Sequence, residues 1–66
     1  MTFEDLLSIL RDKEMLDVRE GKTTLKSANT LYFKSKELYF DAKVIRLTPN
    51  RSKGIVEILI NRGLES

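Results

Sequence analysis

Thr30, Tyr32 and Lys34 alternate along the run Asn29–Lys34. In an extended strand that spacing puts all three on one face. A hydroxyl, a phenol and an ammonium side by side can donate and accept hydrogen bonds, and Lys34 adds a charge. This is suitable chemistry for base edges, and it is also ordinary for an exposed strand face. A second cluster, Asn50-Arg51-Ser52-Lys53, is rich in donors. Its plain reading is an ordinary helix cap. The chain has no histidine and no cysteine, no glycine-rich phosphate loop, and no paired carboxylates in an apolar setting. An enzyme, a metal site and a cofactor are therefore not expected.

The 66 residues make one small domain. A chain of this size buries only about 60% of the surface its unfolded form exposes, so it is marginally stable alone. Without cysteine there is no disulfide to add, which leaves a partner chain as the way to enlarge the core. No apolar run approaches the roughly 18 residues needed to cross a membrane. Met1–Leu10 carries Glu4 and Asp5 instead of the basic start of a signal peptide. The expectation is a cytoplasmic protein with no membrane partner. Charge is unevenly spread: residues 1–20 hold three basic and six acidic groups, a balance of −3, and residues 21–66 hold nine and four, a balance of +5. Such asymmetry points the basic part toward a polyanion, or is a solvated surface with chance clustering.

The elements that would position these groups begin with an amphipathic helix over Thr2–Glu14. Phe3, Leu6, Leu7 and Leu10 share one face, Thr2 caps the first turn, and Asp5 sits where a capping-box acid belongs. Arg19-Glu20-Gly21-Lys22 reads as a turn, flanked by short strands or by an extended linker. Asn29–Lys34 is the predicted strand, with Leu31 and Phe33 on its core side. Ser35 would cap a helix from Lys36 to Leu47 carrying Leu38, Ala42 and Ile45. Thr48-Pro49 is a helix-start signature, and Gly54–Leu64 would form the last helix, with Ile55, Ile58 and Leu59 on one face. A competitor stays open. Ile55–Ile60 is heavily β-branched and Lys43–Leu47 can be read as a strand, so that Pro49–Gly54 becomes a hairpin loop. Leu31–Phe33 and Leu38–Phe40 could likewise pair. That chain would be α+β, one helix on an antiparallel sheet.

The order of features over residues 29–64 resembles the ribbon-helix-helix family of DNA-binding proteins. Thr30–Lys34 is similar to its strand, Ser35-Lys36-Glu37-Leu38 to the entry of its first helix, Asn50–Ile55 to the start of its second, and Asn61-Arg62-Gly63-Leu64-Glu65 to a common ending. The resemblance covers roughly half the chain. It implies a mainly α fold with one short strand, in which residues 29–66 form the DNA-binding and dimerisation domain and residues 1–28 an added helix and linker. Two chains would pair their strands into a ribbon in the major groove. Thr30, Tyr32 and Lys34 would contact bases, and Asn50, Arg51, Ser52 and Lys53 would contact phosphates. Leu31, Phe33, Leu38, Ala42, Ile45, Ile55, Ile58 and Leu59 would form the dimer core.

The function so implied is a repressor that binds a palindromic operator in double-stranded DNA as a homodimer, with tandem dimers on longer sites. The family also includes antitoxins and partition proteins, and such regulators are frequent on plasmids and phages. Residues 1–28 could steady the dimer or bind a protein partner. The alternative function is a small protein–protein interaction module without DNA binding. It is supported by the β-branched C-terminal part and the amphipathic first helix.

Overall fold

A computed structural model describes residues 1–63. The final residues of the last predicted helix and of the expected ending motif, Leu64 and Glu65, lie outside the described residues. The elements run α1 (Phe3–Ile9), β1 (Met15–Glu20), β2 (Thr23–Asn29), α2 (Thr30–Lys36), β3 (Lys43–Asn50) and β4 (Ile55–Asn61). Strand outweighs helix, 46% against 22%, so the class is α+β and the expected ribbon-helix-helix architecture is corrected. The competing α+β reading comes nearer, but the described residues form two helices and the sheet is mixed.

α1 begins as its sequence dictates. The Thr2 hydroxyl accepts from the Asp5 N–H and the Asp5 carboxylate accepts from the Thr2 N–H, each at 3.2 Å, a complete capping box. The helix stops at Ile9 rather than Glu14. Past Leu10 the apolar face has nothing to continue it, because Arg11-Asp12-Lys13-Glu14 is wholly charged.

β1 and β2 form a hairpin around Gly21-Lys22. Glu20 pairs with Thr23, and Gly21 takes φ +60°, the backbone that a tight hairpin turn asks of its first residue.

The largest correction falls on Thr30–Lys34, which is helix and not strand. The Asn29 carboxamide oxygen caps α2 by accepting from the Tyr32 N–H at 2.8 Å. Thr30 and Phe33, three residues apart, turn inward together and are fully buried. Phe33 meets Phe3 edge-to-face with centroids 5.4 Å apart. Leu31, expected in the core, is 52% exposed. Tertiary packing of Phe33 overrides the strand propensity of Thr-Leu-Tyr-Phe. α2 ends where Glu37 adopts a left-handed backbone (φ +52°). The Glu37 N–H donates to the Lys34 carbonyl and the Leu38 N–H to the Phe33 carbonyl.

The two predicted C-terminal helices are likewise replaced, by the hairpin β3–β4. Its turn holds Gly54 at φ +66°, so a glycine that would weaken a helix interior is at home here. Pro49 lies on an edge strand, where a missing N–H is tolerated.

The sheet order is β2-β1-β4-β3. Both hairpins are antiparallel, and the central pair β1–β4 is parallel. The helices cover one face. Leu16 and Val18 of β1 and Val56, Ile58 and Ile60 of β4 meet Phe3, Leu6, Leu7, Phe33 and Ala42 in a single core. That core closes within one chain, which removes the need for a strand borrowed from a twin. It draws on both sides of the boundary expected at residues 28–29. Met1 and Thr2 lie along the upper edge of β3: Thr2 bridges Lys43, and the Val44 N–H donates to the Met1 carbonyl at 3.0 Å.

Candidate interaction face

Among the described residues no helix covers the second face of the sheet. Register across the four strands arranges its side chains in rows. Ser27, Asp17, Glu57 and Thr48 form one row, and Thr24, Arg19, Leu59 and Arg46 the next. Met15 and Ile55 sit beside each other in the row below. Lys43 and Asn61 lie at the upper corner.

Two contacts tie neighbouring strands within these rows. The Ser27 hydroxyl donates to the Asp17 carboxylate at 3.1 Å, and the Arg19 Nε–H donates to the Thr24 hydroxyl oxygen at 3.3 Å. Among the described residues neither Arg46 nor Glu57 makes a salt bridge. Counting Arg19, Lys43 and Arg46 against Asp17 and Glu57, the face carries a net charge of +1.

Both edge strands are bulged at one level. The register shifts between Val18 and Arg19 in the β1–β2 ladder and between Val44 and Arg46 in the β3–β4 ladder. Arg19 and Leu59, the residues at that level on the central strands, pair with each other. Bulges bend a strand and raise its twist, and the open face is hollowed here. A depression of about 350 Å³ is lined by Arg19, Gly21, Arg46, Thr48, Glu57, Ile58 and Leu59. Ile45, the extra residue of the β3 bulge, lines an adjoining hollow with Leu59 and Asn61 and is 52% exposed. The site therefore combines two guanidiniums, a carboxylate and a hydroxyl around apolar Leu59. No family model, no curated protein and no solved structure matches this chain.

The strand ends are tied together by Arg62. Its Nε and Nη2 both donate to Glu20 Oε1, at 3.1 and 2.9 Å, and its backbone N–H donates to Oε2 at 2.7 Å. Its guanidinium also lies 5.7 Å from the Tyr39 ring centroid. The side-chain hydrogen bonds from Arg62, followed by that from its backbone, hold the Glu20 carboxyl below its ordinary value. Glu20 in turn raises the Arg62 guanidinium. This clamp joins the end of β1 to the segment after β4.

The residues nominated from sequence lie elsewhere. Thr30 is buried, its hydroxyl donating to the Glu14 carbonyl at 3.4 Å, and cannot touch a base. Tyr32 lies under Lys26, whose Nζ is 5.0 Å from the ring centroid. Lys34 bonds Asp12 at 3.1 Å. All three sit on α2, away from the open face, and form no ribbon. Asn50, Arg51, Ser52 and Lys53 come together at the β3–β4 turn, with the Asn50 side chain accepting from the Lys53 N–H at 3.3 Å. No helix starts there, so the expected phosphate contact at a helix start lapses while Arg51, Ser52 and Lys53 stay exposed. Of the expected dimer core, Phe33, Ala42 and Ile58 are buried within the single chain and Leu38 packs beside them. Ile55 and Leu59 are half-buried on the opposite, open face. Sequence reading missed Asp17, Arg19, Arg46, Thr48 and Glu57. The available signal was the alternation Leu16/Val18 against Asp17/Arg19, with Glu57 placed midway through an apolar strand. Among the described residues no helix is long and apolar enough to cross a membrane.

Proposed function

We propose that this chain is a small protein-interaction module that binds another polypeptide through the open face of its sheet. One observation carries the reading: β4 is apolar throughout its covered face and still carries Ile55 and Leu59, beside Glu57 and Asn61, on its open one. Val56, Ile58 and Ile60 enter the core, and Ile55 and Leu59 point the other way. The parallel pair β1–β4 lies at the centre of the sheet, so these apolar side chains sit in the middle of the open face rather than at an edge. The acids Asp17 and Glu57 in its middle favour a polypeptide, which can answer both signs, over a uniformly negative ligand.

A second reading keeps double-stranded DNA as the partner. It is supported by the basic excess of residues 21–66 and by the exposed Arg51 and Lys53 at the β3–β4 turn. One comparison separates the two. Proteins and duplex DNA retained by the full chain are quantified beside those retained by Leu59→Asp, Leu31→Asp and an Arg51→Ala/Lys53→Ala double variant. The interaction reading expects polypeptides lost with Leu59→Asp and kept with Leu31→Asp. Polypeptides kept equally by both overturn it, and duplex DNA lost only with the turn variant supports the second reading.

A further inference from the structure

The central charges of the open face are sorted by sign. Asp17 and Glu57 share one row, and Arg19 and Arg46 flank Leu59 in the next. The two rows are separated by two residues along the strands, roughly 6.7 Å. A face sorted in this way fits its own copy. A two-fold axis lying between two stacked sheets, parallel to the rows and midway between them, keeps each strand over its counterpart and exchanges the rows. Asp17 of one copy then lies over Arg19 of the other, and Glu57 lies over Leu59, between Arg19 and Arg46. We propose that the occupant of the open face is a second copy of this chain, stacked face to face about that axis. The inference rests on the interaction-module reading and names its partner.

Charge availability and size both fit. Arg46 and Glu57 have no salt-bridge partner within the chain among the described residues, and a two-fold contact satisfies each pairing twice. A four-stranded face of this length spans roughly 19 by 20 Å. Two such faces remove on the order of 1,000 Å² from water, near the lower bound for a specific interface. An interface of that size belongs with the weak, reversible ones. Edge-to-edge pairing through β3 is the competing mode. It is opposed by the bulge at Ile45, by Pro49, and by Met1–Thr2 lying along the upper edge.

The test is sedimentation equilibrium of the full chain from about 1 µM to about 1 mM, with Arg46→Glu and Glu57→Arg alone and mixed. The expected result is a reversible wild-type dimer, weakened about tenfold or more by either reversal. The mixture should associate about tenfold more tightly than either variant alone, because each mixed dimer recovers one native pairing and one reversed pairing. Should a reversed variant fail to fold, a nitroxide at Thr48→Cys in a mixture with isotope-labelled wild type supplies the answer; it should broaden the Arg46 and Leu59 amides of the labelled copy. A wild-type monomer throughout, a dimer indifferent to both reversals, or broadening confined to other residues overturns the stacking. The interaction reading fails separately, only if Leu59→Asp and Leu31→Asp also retain the same polypeptides.

Discussion

The two faces of β4 differ in what stands over them as well as in what they carry. Val56, Ile58 and Ile60 meet the aromatic floor of α1 and α2 and lose their water. Ile55 and Leu59, scarcely less apolar, share their face with Glu57 and stay half-buried between neighbouring strands. An apolar side chain contributes to stability through the water-excluding surface it is given. The covered face accordingly holds the fold, and the open face contributes little to it.

Four outcomes would break or sharpen that contrast. The largest loss belongs to Phe33→Ala, about 3–5 kcal/mol in chemical denaturation, because the ring sits fully buried against Phe3. Replacing its neighbour Leu31 with alanine should cost under about 0.5 kcal/mol. Equal losses at the two positions would mean that Thr30–Lys36 is not the helix described. Next, Ile58→Ala should cost about 2–5 kcal/mol, whereas Leu59→Ala, one residue along and on the other face, should cost under about 1 kcal/mol in dilute monomer. If Leu59 proves as costly as Ile58 under those conditions, the two faces do not divide their labour. Smaller and opposite in sign, Glu37→Gly should stabilise the chain by about 1 kcal/mol in thermal unfolding, since a left-handed residue with a side chain is replaced by one without the penalty.

The subtlest outcome concerns pH. The Glu20 carboxyl is held below its ordinary value by Arg62. Its contribution to stability is present above the ordinary carboxylate value of 4.5 and is lost as pH falls through the depressed folded value. Arg62→Ala should therefore flatten the acid limb of the stability profile below that point and leave the neutral region shaped as before. An unchanged acid limb would show that the clamp does not act on Glu20.

Local signals in the sequence were read well where structure is local. The Thr2–Asp5 capping box, the Gly21 turn and the apolar stripe of Phe3, Leu6 and Leu7 are each set by residues within a few positions of one another. The competing hairpin over Lys43–Ile60 was legible in its β-branched residues, but Thr48-Pro49 also spells a helix start, and the chain alone does not say which use of proline applies. Thr30–Lys36 was misread because Leu31/Phe33 alternation and Thr30/Phe33 helical spacing coexist in the same residues. Phe3, some thirty positions away, decides between them. The parallel pairing of β1 with β4 lies outside any local pattern. So does the full open face, since Arg19 and Asp17 join Glu57 and Arg46 only through that pairing. The resemblance to ribbon-helix-helix proteins rested on short motifs whose residues fold otherwise here.

The most direct test of an open face that works as a binding surface is a photo-crosslinking amino acid placed in turn at Ser27 and Thr48 on that face and at Ser8 and Ser35 on the helices. Irradiated in the cells that make the protein, Ser27 and Thr48 should give discrete polypeptide adducts and Ser8 and Ser35 should give none. Adducts of equal yield from all four positions, or from the helix positions alone, would contradict the account.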